Sequence, residues 1–395
     1  MEHKSIIQNR ILRVDLTKGE VRTEEPGEQF YRKYLGGRGI SLYYMMKEAD
    51  PACDPLGPEN VMVFAPGLLN GLAGPGIPKY SVTAKSPLTG GIGESEAGGF
   101  WGPALRFCGY DAIVVQGRAE NPVYLAVTDG EAVLEDAEPL WELDTKAFQE
   151  KVREKYEKAR VLQIGPAGTH QGLMANITND LSFFNGRNGL GAVMGSKNLR
   201  GIVLKPSKKQ VDVPYPDRIK EVAKAVAGAV KENPLSNALN NLGTAGGIVP
   251  VNSGGALPTN NWTRSTFEKA EGLDGNLLRD KYLEKRHGCF ACPIRCKRVV
   301  NINEDGVEVD PAFGGPEYES IGTLGSMCGV GHLPTVCKAN ELCNRYGLDT
   351  MSCGSTIAFG MQCFEEGLIS EEQVGYDLSF GNGESLLRMI EDIAF

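Results

Sequence analysis

The sequence predicts an α+β protein of two domains, a β-rich domain followed by a mostly α-helical one, on three observations. A chain of 395 residues is long for one ordinary domain and suits two. Its first half alternates short Val-, Ile- and Leu-rich runs with Gly, Pro, Asn and Asp, the punctuation of strands and tight turns. From Ile321 onward most of the chain reads as helix.

In chain order, strands are expected at 11–15, 61–65, 112–116, 123–128, 161–164 and 202–205. A helix over 145–156 interrupts them, with Phe148, Val152 and Tyr156 at helical spacing. The character changes at 205–216, where Lys, Pro and Asp gather, which sets the expected domains at 1–210 and 211–395. Beyond it Val222, Ala223, Val226 and Val230 mark a helix over 219–230, followed by a loop over 253–261 and a helix over 277–286. Helices are then expected at 334–345, 355–366, 371–376 and 384–394. The last puts Leu386, Leu387, Ile390 and Ile393 on one face and reaches the chain end with no capping Gly, so the polypeptide is expected to be a fragment.

Composition narrows the class of function. Hydrophobic residues at 41% and charged residues at 23% fit a globular chain with a sizeable core. A net charge of -9 disfavours nucleic acid as a partner, because phosphate backbones reward Lys and Arg stripes. No apolar run is long enough to span a membrane, and Met1-Glu2-His3-Lys4 has no leader-type apolar stretch, so the expected location is the cytoplasm. The 50 glycines follow no Gly-X-Y period and point to tight turns and close backbone approaches.

Ten cysteines are many for a reducing compartment, and clustering there points to metal more than to disulfides. Cys289, Cys292 and Cys296 form a C-x2-C-x3-C segment, and Cys328, Cys337, Cys343, Cys353 and Cys363 follow; Cys53 and Cys108 read as small buried residues. The close spacing lets one irregular loop turn several thiolates toward one centre, as iron–sulfur clusters require. Arg295, Lys297 and Arg298 would offset the thiolate charge. The alternatives are a zinc knuckle, which calls for a second C-x-x-C or a His pair that is lacking, and plain reduced thiols. His287 reads as a surface side chain, and no fourth ligand stands nearby.

Three glycine-rich segments adjoin expected helix starts, where free N–H groups can hold an anion: Gly36-Gly37-Arg38-Gly39, Gly98-Gly99-Phe100-Trp101-Gly102, and 185–191 leading into Ala192-Val193-Met194-Gly195. Each alone is equally a turn. Gly195-Ser196-Lys197 lacks P-loop order, and Gly189-x-Gly191 lacks the later acidic residue of a dinucleotide site. Together they suggest a large ligand with several phosphates. Glu317 and Glu319, beside Gly314 and Gly315, are either a pocket-edge general base or solvated loop charge. Asn344 and Asp349 flank a helix end at Gly347 and either hold a heterocycle edge or close an ordinary turn.

These pieces together resemble one family, the aldehyde ferredoxin oxidoreductases. The resemblance runs from Ile11 to the chain end through YLGGRG (34–39), KSPLTG (85–90), residues 98–102, FCGYDAIV (107–114), IGPAG (164–168), GLGAVMGSKNL (189–199), the cysteine segment, GPEYES (315–320) and GLDT (347–350). It implies a tungsten or molybdenum atom held by two pterins, a [4Fe–4S] cluster beside one of them, a Mg2+ bridging the pterin phosphates, and ferredoxin or another low-potential carrier as electron partner. The N-terminal β domain would cradle the pterins and two helical domains would enclose them. The implied activity is oxidation of a small aldehyde to a carboxylate. The rivals are a family reductase acting on an aromatic acid or thioester, and a non-catalytic iron–sulfur electron-transfer subunit. A homo-oligomer or a place in a larger complex is also consistent.

Carried over position by position, Cys289, Cys292 and Cys296 match three cluster ligands, and Glu319 matches the carboxylate beside the metal. Gly347, Leu348 and Asp349 match the end of a DxxGLD pterin motif, whose first Asp is replaced by Asn344. Lys79 stands for an Arg between pterin and cluster, keeping the charge without the bidentate fork. Glu96 stands for an Asn near the Mg2+-bridged phosphates. Phe183 replaces a phosphate-binding Arg, leaving the Phe184 backbone and Arg187 as the expected phosphate contacts. The family's fourth cluster cysteine, second pterin motif and metal-proximal histidine lie in a third domain and have no counterpart in these residues.

Overall fold

A computed structural model describes residues 5–395 and is α+β, with sheets concentrated before Lys205 and helices after it. Met1-Glu2-His3-Lys4, on which the leader reading rests, lies outside the described residues. The chain forms two compact units. The first comprises the described residues up to Ala229 together with Cys289–Pro293; the second comprises Val230–Gly288 and Ile294–Phe395. Among the described residues no helix is long and apolar enough to cross a membrane.

In the first unit, strands β1 (Ile11–Asp15), β2 (Glu20–Glu24), β3 (Met62–Pro66), β4 (Tyr80–Lys85), β5 (Ile92–Ala97) and β6 (Ala112–Gln116) form one sheet in the order β2-β1-β6-β3-β4-β5. Strand β3 is buried along its whole length and reads as a continuous apolar run, as a central strand must. Strand β5 lies at the edge, and its sequence IGESEA hid it from a search for Val and Ile runs. Its alternating burial turns Gly93, Ser95 and Ala97 inward and leaves Glu94 and Glu96 on the opposite face.

A second sheet contains β7 (Val123–Thr128), β8 (Glu131–Asp136), β9 (Arg160–Gln163), β10 (Ile177–Asn179), β11 (Phe183–Asn185) and β12 (Leu199–Leu204), ordered β11-β10-β9-β12-β7-β8. One hydrophobic core joins both sheets through Phe64, Val82, Ile113, Leu125, Leu162 and Ile202. Trp101 is fully buried in it, its indole N–H donating to the Ile202 carbonyl at 3.1 Å and its ring 4.9 Å from that of Tyr80. The FCGYDAIV segment places Asp111 against the buried Arg106 guanidinium, whose pKa burial pushes down to about 10.

Two glycines of the GLGAVMGSKNL segment are set by close packing. A Cβ on Gly195 would stand 1.8 Å from the Gly168 carbonyl oxygen, and one on Gly191 would stand 2.3 Å from that of Asn176. Helix Leu190–Ser196 thus lies against the neighbouring backbone, where only glycine fits.

In the second unit, helices Tyr318–Leu324, Leu333–Tyr346, Thr350–Glu365 and Gly383–Ala394 bury Ile321, Leu324, Ile357, Leu386 and Ile390. The helix expected over 355–366 starts earlier because Asp349 caps it. The helix expected over 277–286 is corrected: after the short turns Gly275–Leu277 and Leu278–Tyr282 the chain enters strand β13 (Leu283–His287). It pairs antiparallel with β14 (Lys297–Val300), His287 opposite Lys297, and this ladder overrides local helix propensity. A second hairpin, β15 (Ile302–Glu304) with β16 (Val307–Val309), turns on Asp305 and Gly306, both left-handed at φ 52° and 76°.

Among the described residues, which include all ten cysteines, no disulfide forms. Cys328, Cys337, Cys343 and Cys353 are buried in the helical core, and Cys343 faces Cys353. Burial pushes the Cys328 and Cys337 thiols well up, and these four pack as small apolar residues.

Candidate functional site

The first unit contains a cleft of about 500 Å3, lined by Gly36, Gly37, Arg38, Gly67, Gly76, Lys79, Ser81 and Glu96 among others. Its glycines are there for two different reasons. A Cβ on Gly36 would stand 2.7 Å from the Leu68 nitrogen, so the floor is closely packed. A Cβ on Gly37 would meet nothing nearer than 3.9 Å and one on Gly76 nothing within 4 Å; there it is the left-handed backbone, φ 50° and 73°, that favours glycine, and the space above both stays open. Helix Arg38–Glu48 begins at Gly37 without a side-chain cap.

The charged rim follows from strand alternation. Ser81 lies opposite Glu96 across β4 and β5. Arg38 reaches Glu94 at 2.8 Å and Glu96 at 3.6 Å, and the Ser81 hydroxyl donates to Glu94. The Lys79 side chain is exposed while its carbonyl is anchored by Asn70 Nδ2 at 2.7 Å. Lys79 and Glu96, both expected as cofactor contacts, therefore share this cleft. Arg38 and Glu94 were missed as site residues: Arg38 was in view inside YLGGRG, but only the strand pairing gives it a carboxylate partner. Phe184 is half-buried on β11 and Arg187 is exposed in the following loop, and neither is among the residues lining the cleft. Phe183 is buried, its ring 6.2 Å from that of Phe100.

The turn bearing Cys289 and Cys292 also belongs to the first unit. Cys292 N donates to the Cys289 carbonyl at 3.2 Å, Phe290 N to the Gly99 carbonyl at 3.1 Å, and Gly74 N to the Ala291 carbonyl at 3.3 Å. Ala291 is held left-handed at φ 48°, which turns the chain sharply between the two thiols. The Cys289 sulfur lies 2.5 Å from where a Cβ on Gly98 would be, so Gly98 is read as a glycine required by the cysteine loop. Cys296 belongs to the second unit. Among the described residues no group of three or more His, Cys, Asp or Glu side chains is placed to hold a metal ion.

In the second unit Glu319 is exposed in the first turn of helix Tyr318–Leu324. That helix packs on the GLDT turn, with the Ser320 and Thr350 hydroxyls 2.8 Å apart and the Thr323 hydroxyl donating to the Thr350 carbonyl at 3.2 Å. Gly347 closes the preceding helix left-handed at φ 78°, and Leu348 is buried. Asp349 caps the next helix, accepting from Met351 N at 3.2 Å and Ser352 N at 3.1 Å. Asn344 is buried and donates to the Phe313 carbonyl at 3.1 Å. The structure thus sets the helix that carries Glu319 against Thr350 at the end of the GLDT turn, through Ser320 and Thr323.

Glu317, read only as part of a carboxylate pair, fixes this corner. It pairs with Lys297 at 3.0 Å and accepts from the Thr244 hydroxyl at 2.5 Å, while Tyr318 N donates to that same hydroxyl oxygen at 2.9 Å. Burial pushes the Glu317 carboxyl up, but Lys297, Thr244 and Arg298 outweigh it and hold it below the usual range. Of the cations near the cysteines, Lys297 is therefore shared with Glu317, and Arg298 is spent on the carbonyls of Asn240, Asn241 and Arg295.

Residues 11–206 match the family model for the aldehyde ferredoxin oxidoreductase N-terminal domain, and residues 221–395 match that for its domains 2 and 3. The chain belongs to the aldehyde ferredoxin oxidoreductase family. The tungsten-containing aldehyde ferredoxin oxidoreductase of Thermococcus kodakarensis is 39% identical over 393 residues, covering 98% of this chain and 64% of that protein. Its counterpart from Pyrococcus abyssi is also 39% identical, over 394 residues with the same coverage. The aliphatic sulfonate oxidoreductase WOR-like subunit of Pyrococcus furiosus is 27% identical over 400 residues, 96% of this chain and 63% of that one. The chain thus spans just under two thirds of the length of these relatives. Among solved structures, the active-site complex BamBC of benzoyl coenzyme A reductase with 1,5 dienoyl-CoA shares the fold, with a TM-score of 0.81 at 24% identity over 98% of this chain and 63% of that one.

Proposed function

We propose that the full-length protein is a tungsten (or molybdenum) bis-pterin oxidoreductase that oxidises aldehydes to carboxylates in the cytoplasm, passing electrons by way of a [4Fe–4S] cluster to ferredoxin or a similar low-potential carrier. The observation that carries this reading is the 39% identity to tungsten-containing aldehyde ferredoxin oxidoreductases along 98% of the chain. The reductive reading on an aromatic thioester has only a fold-level neighbour behind it.

The residues present suit the implied groups. The cleft in the first unit has a closely packed glycine floor, open space above Gly37 and Gly76, and Arg38 and Lys79 as cations, which is chemistry suited to a flat, phosphate-bearing ligand. Glu94 and Glu96 supply oxygen donors for Mg2+; without a cation they would repel phosphate. Cys289, Cys292 and Cys296 supply soft thiolates for a cluster. We assign the pterin-binding domain to residues 1–210 and the helical domain to 211–395, with Phe184, Arg187, Asn344, Gly347, Leu348 and Asp349 as further cofactor contacts.

When bound, the metal–pterin group supplies the two-electron redox centre and a Lewis acid for the carbonyl. The chain's own part is proton transfer and positioning. Conversion of an aldehyde and water to a carboxylate releases two electrons and three protons, and a Glu319 Oε accepts a proton from water or from the hydrated aldehyde. The Thr244–Glu317–Lys297 contacts fix the start of the Glu319 helix, and the Ser320–Thr350 contact fixes that helix on the GLDT turn. Asp349, as a cap, sets that turn.

Glu319→Gln tests the assignment in anaerobically purified full-length protein. Aldehyde-dependent reduction of ferredoxin or a viologen dye should fall by about 10^2-fold or more, with tungsten and pterin content unchanged. A variant with full activity would remove Glu319 from the mechanism.

A further inference from the structure

The thiol of Cys289 touches a glycine whose position is set by another part of the fold. Gly98 leaves room for the Cys289 sulfur, and the Gly99 carbonyl accepts from Phe290 N, so the Cys289 turn docks on these two glycines. What holds the glycines is Asn179, at the end of β10 and fully buried. Its Nδ2 donates to the Gly98 carbonyl at 3.3 Å and to the Tyr80 hydroxyl at 2.8 Å. Its Oδ1 faces Gly99, where an added Cβ would stand 2.6 Å away, and has no hydrogen-bond partner among the described residues.

The segment that aims Asn179 is strained. Asp180 and Leu181, which follow it, are both left-handed at φ 46° and 64°, a conformation that a branched side chain such as Leu disfavours. Arg153 and Arg160 hold Asp180 at 3.1 and 3.2 Å, and Arg160 also lies 4.4 Å from the centre of the Phe100 ring. Phe183, beyond the turn, closes under Gly99, where a Cβ would meet its ring at 2.9 Å.

We infer that Asn179 is a positioning residue for the Cys289 thiolate, acting through the Gly98 carbonyl and the glycine pair on which the cysteine turn docks. It touches neither substrate nor metal. The inference rests on the proposal that Cys289 is a cluster ligand. Outer contacts of this kind orient ligands, and losing one typically costs 10–100-fold in metal affinity.

The test uses anaerobically purified full-length protein, with the electron paramagnetic resonance spectrum of the reduced cluster and the rate of iron loss to a chelator as readouts. Asn179→Ala should shift or broaden the signal and speed iron loss by about tenfold or more, while the melting transition stays cooperative. Asn179→Asp, nearly isosteric, guards against a folding defect: it replaces the donor facing Gly98 with an acceptor and should give the same signature. Tyr80→Phe keeps the Gly98 bond and should leave the cluster like wild type. Wild-type spectra and iron retention in both Asn179 variants would overturn the inference, as would a Tyr80→Phe cluster disturbed as much as theirs. Wild-type protein without iron would overturn the cluster reading itself, and this inference with it.

Discussion

At the scale of single residues, the contacts that brace the Glu319 helix come from its neighbour Glu317. Glu319 stands out in GPEYES, but Glu317 two positions earlier makes the fixed contacts, and only the fold brings Thr244 and Lys297 to it. Lys197 shows the same gap. In the sequence it stands out only in Gly195-Ser196-Lys197, which lacks P-loop order; in the fold it is fully buried, its ammonium donating to the carbonyls of Gly117 at 3.1 Å and Pro58 at 3.3 Å. Burial first, and then Arg118, push its pKa down to about 8. Between about pH 8 and the ordinary lysine value near 10.4 the unfolded chain holds a proton that the folded chain has released. Stability must therefore rise with pH across that window, and the burial penalty is fully present below it. Lys197→Met removes the titration. Its stability relative to wild type, from denaturant unfolding, should decline by about 3 kcal/mol between about pH 7.5 and about pH 10.5. A pH-independent difference would show that Lys197 titrates normally.

At the scale of elements, strongly patterned segments were legible and partner-dependent ones were not. The apolar runs of β1, β6 and β7 and the amphipathic helix Gly383–Ala394 stand where their periodicity puts them. Strand β5 carries too few apolar residues to announce itself, and Leu283–His287 becomes a strand only because β14 is there to pair with. The GLDT turn was legible as a helix end through Gly347, but the capping role of Asp349 needed the structure. That role separates two effects in one residue. Asp349→Ala should lower stability by about 1 kcal/mol through the lost cap, read as a lower melting temperature. Asp349→Asn keeps one of the two cap acceptors and should melt between the Ala variant and wild type, while weakening any contact that needs the carboxylate charge, read as pterin retained after gel filtration. Equal melting temperatures for the Ala variant and wild type would show that the cap contributes nothing.

At the scale of the whole molecule, the family was legible because its motifs run in order along the chain, which spans 64% of the tungsten-containing relative from Thermococcus kodakarensis. The first unit offers a glycine-floored cleft and a docked pair of cysteines, and the second offers Glu319 on a braced corner. The proposed oxidoreductase uses all of these together, and the rival electron-transfer subunit uses only the cysteines. The most direct test is the tungsten, molybdenum, pterin and iron content of the full-length protein purified without oxygen. The account predicts tungsten or molybdenum with about two pterins per metal atom and about four irons per chain. Iron with neither pterin nor tungsten or molybdenum would contradict it.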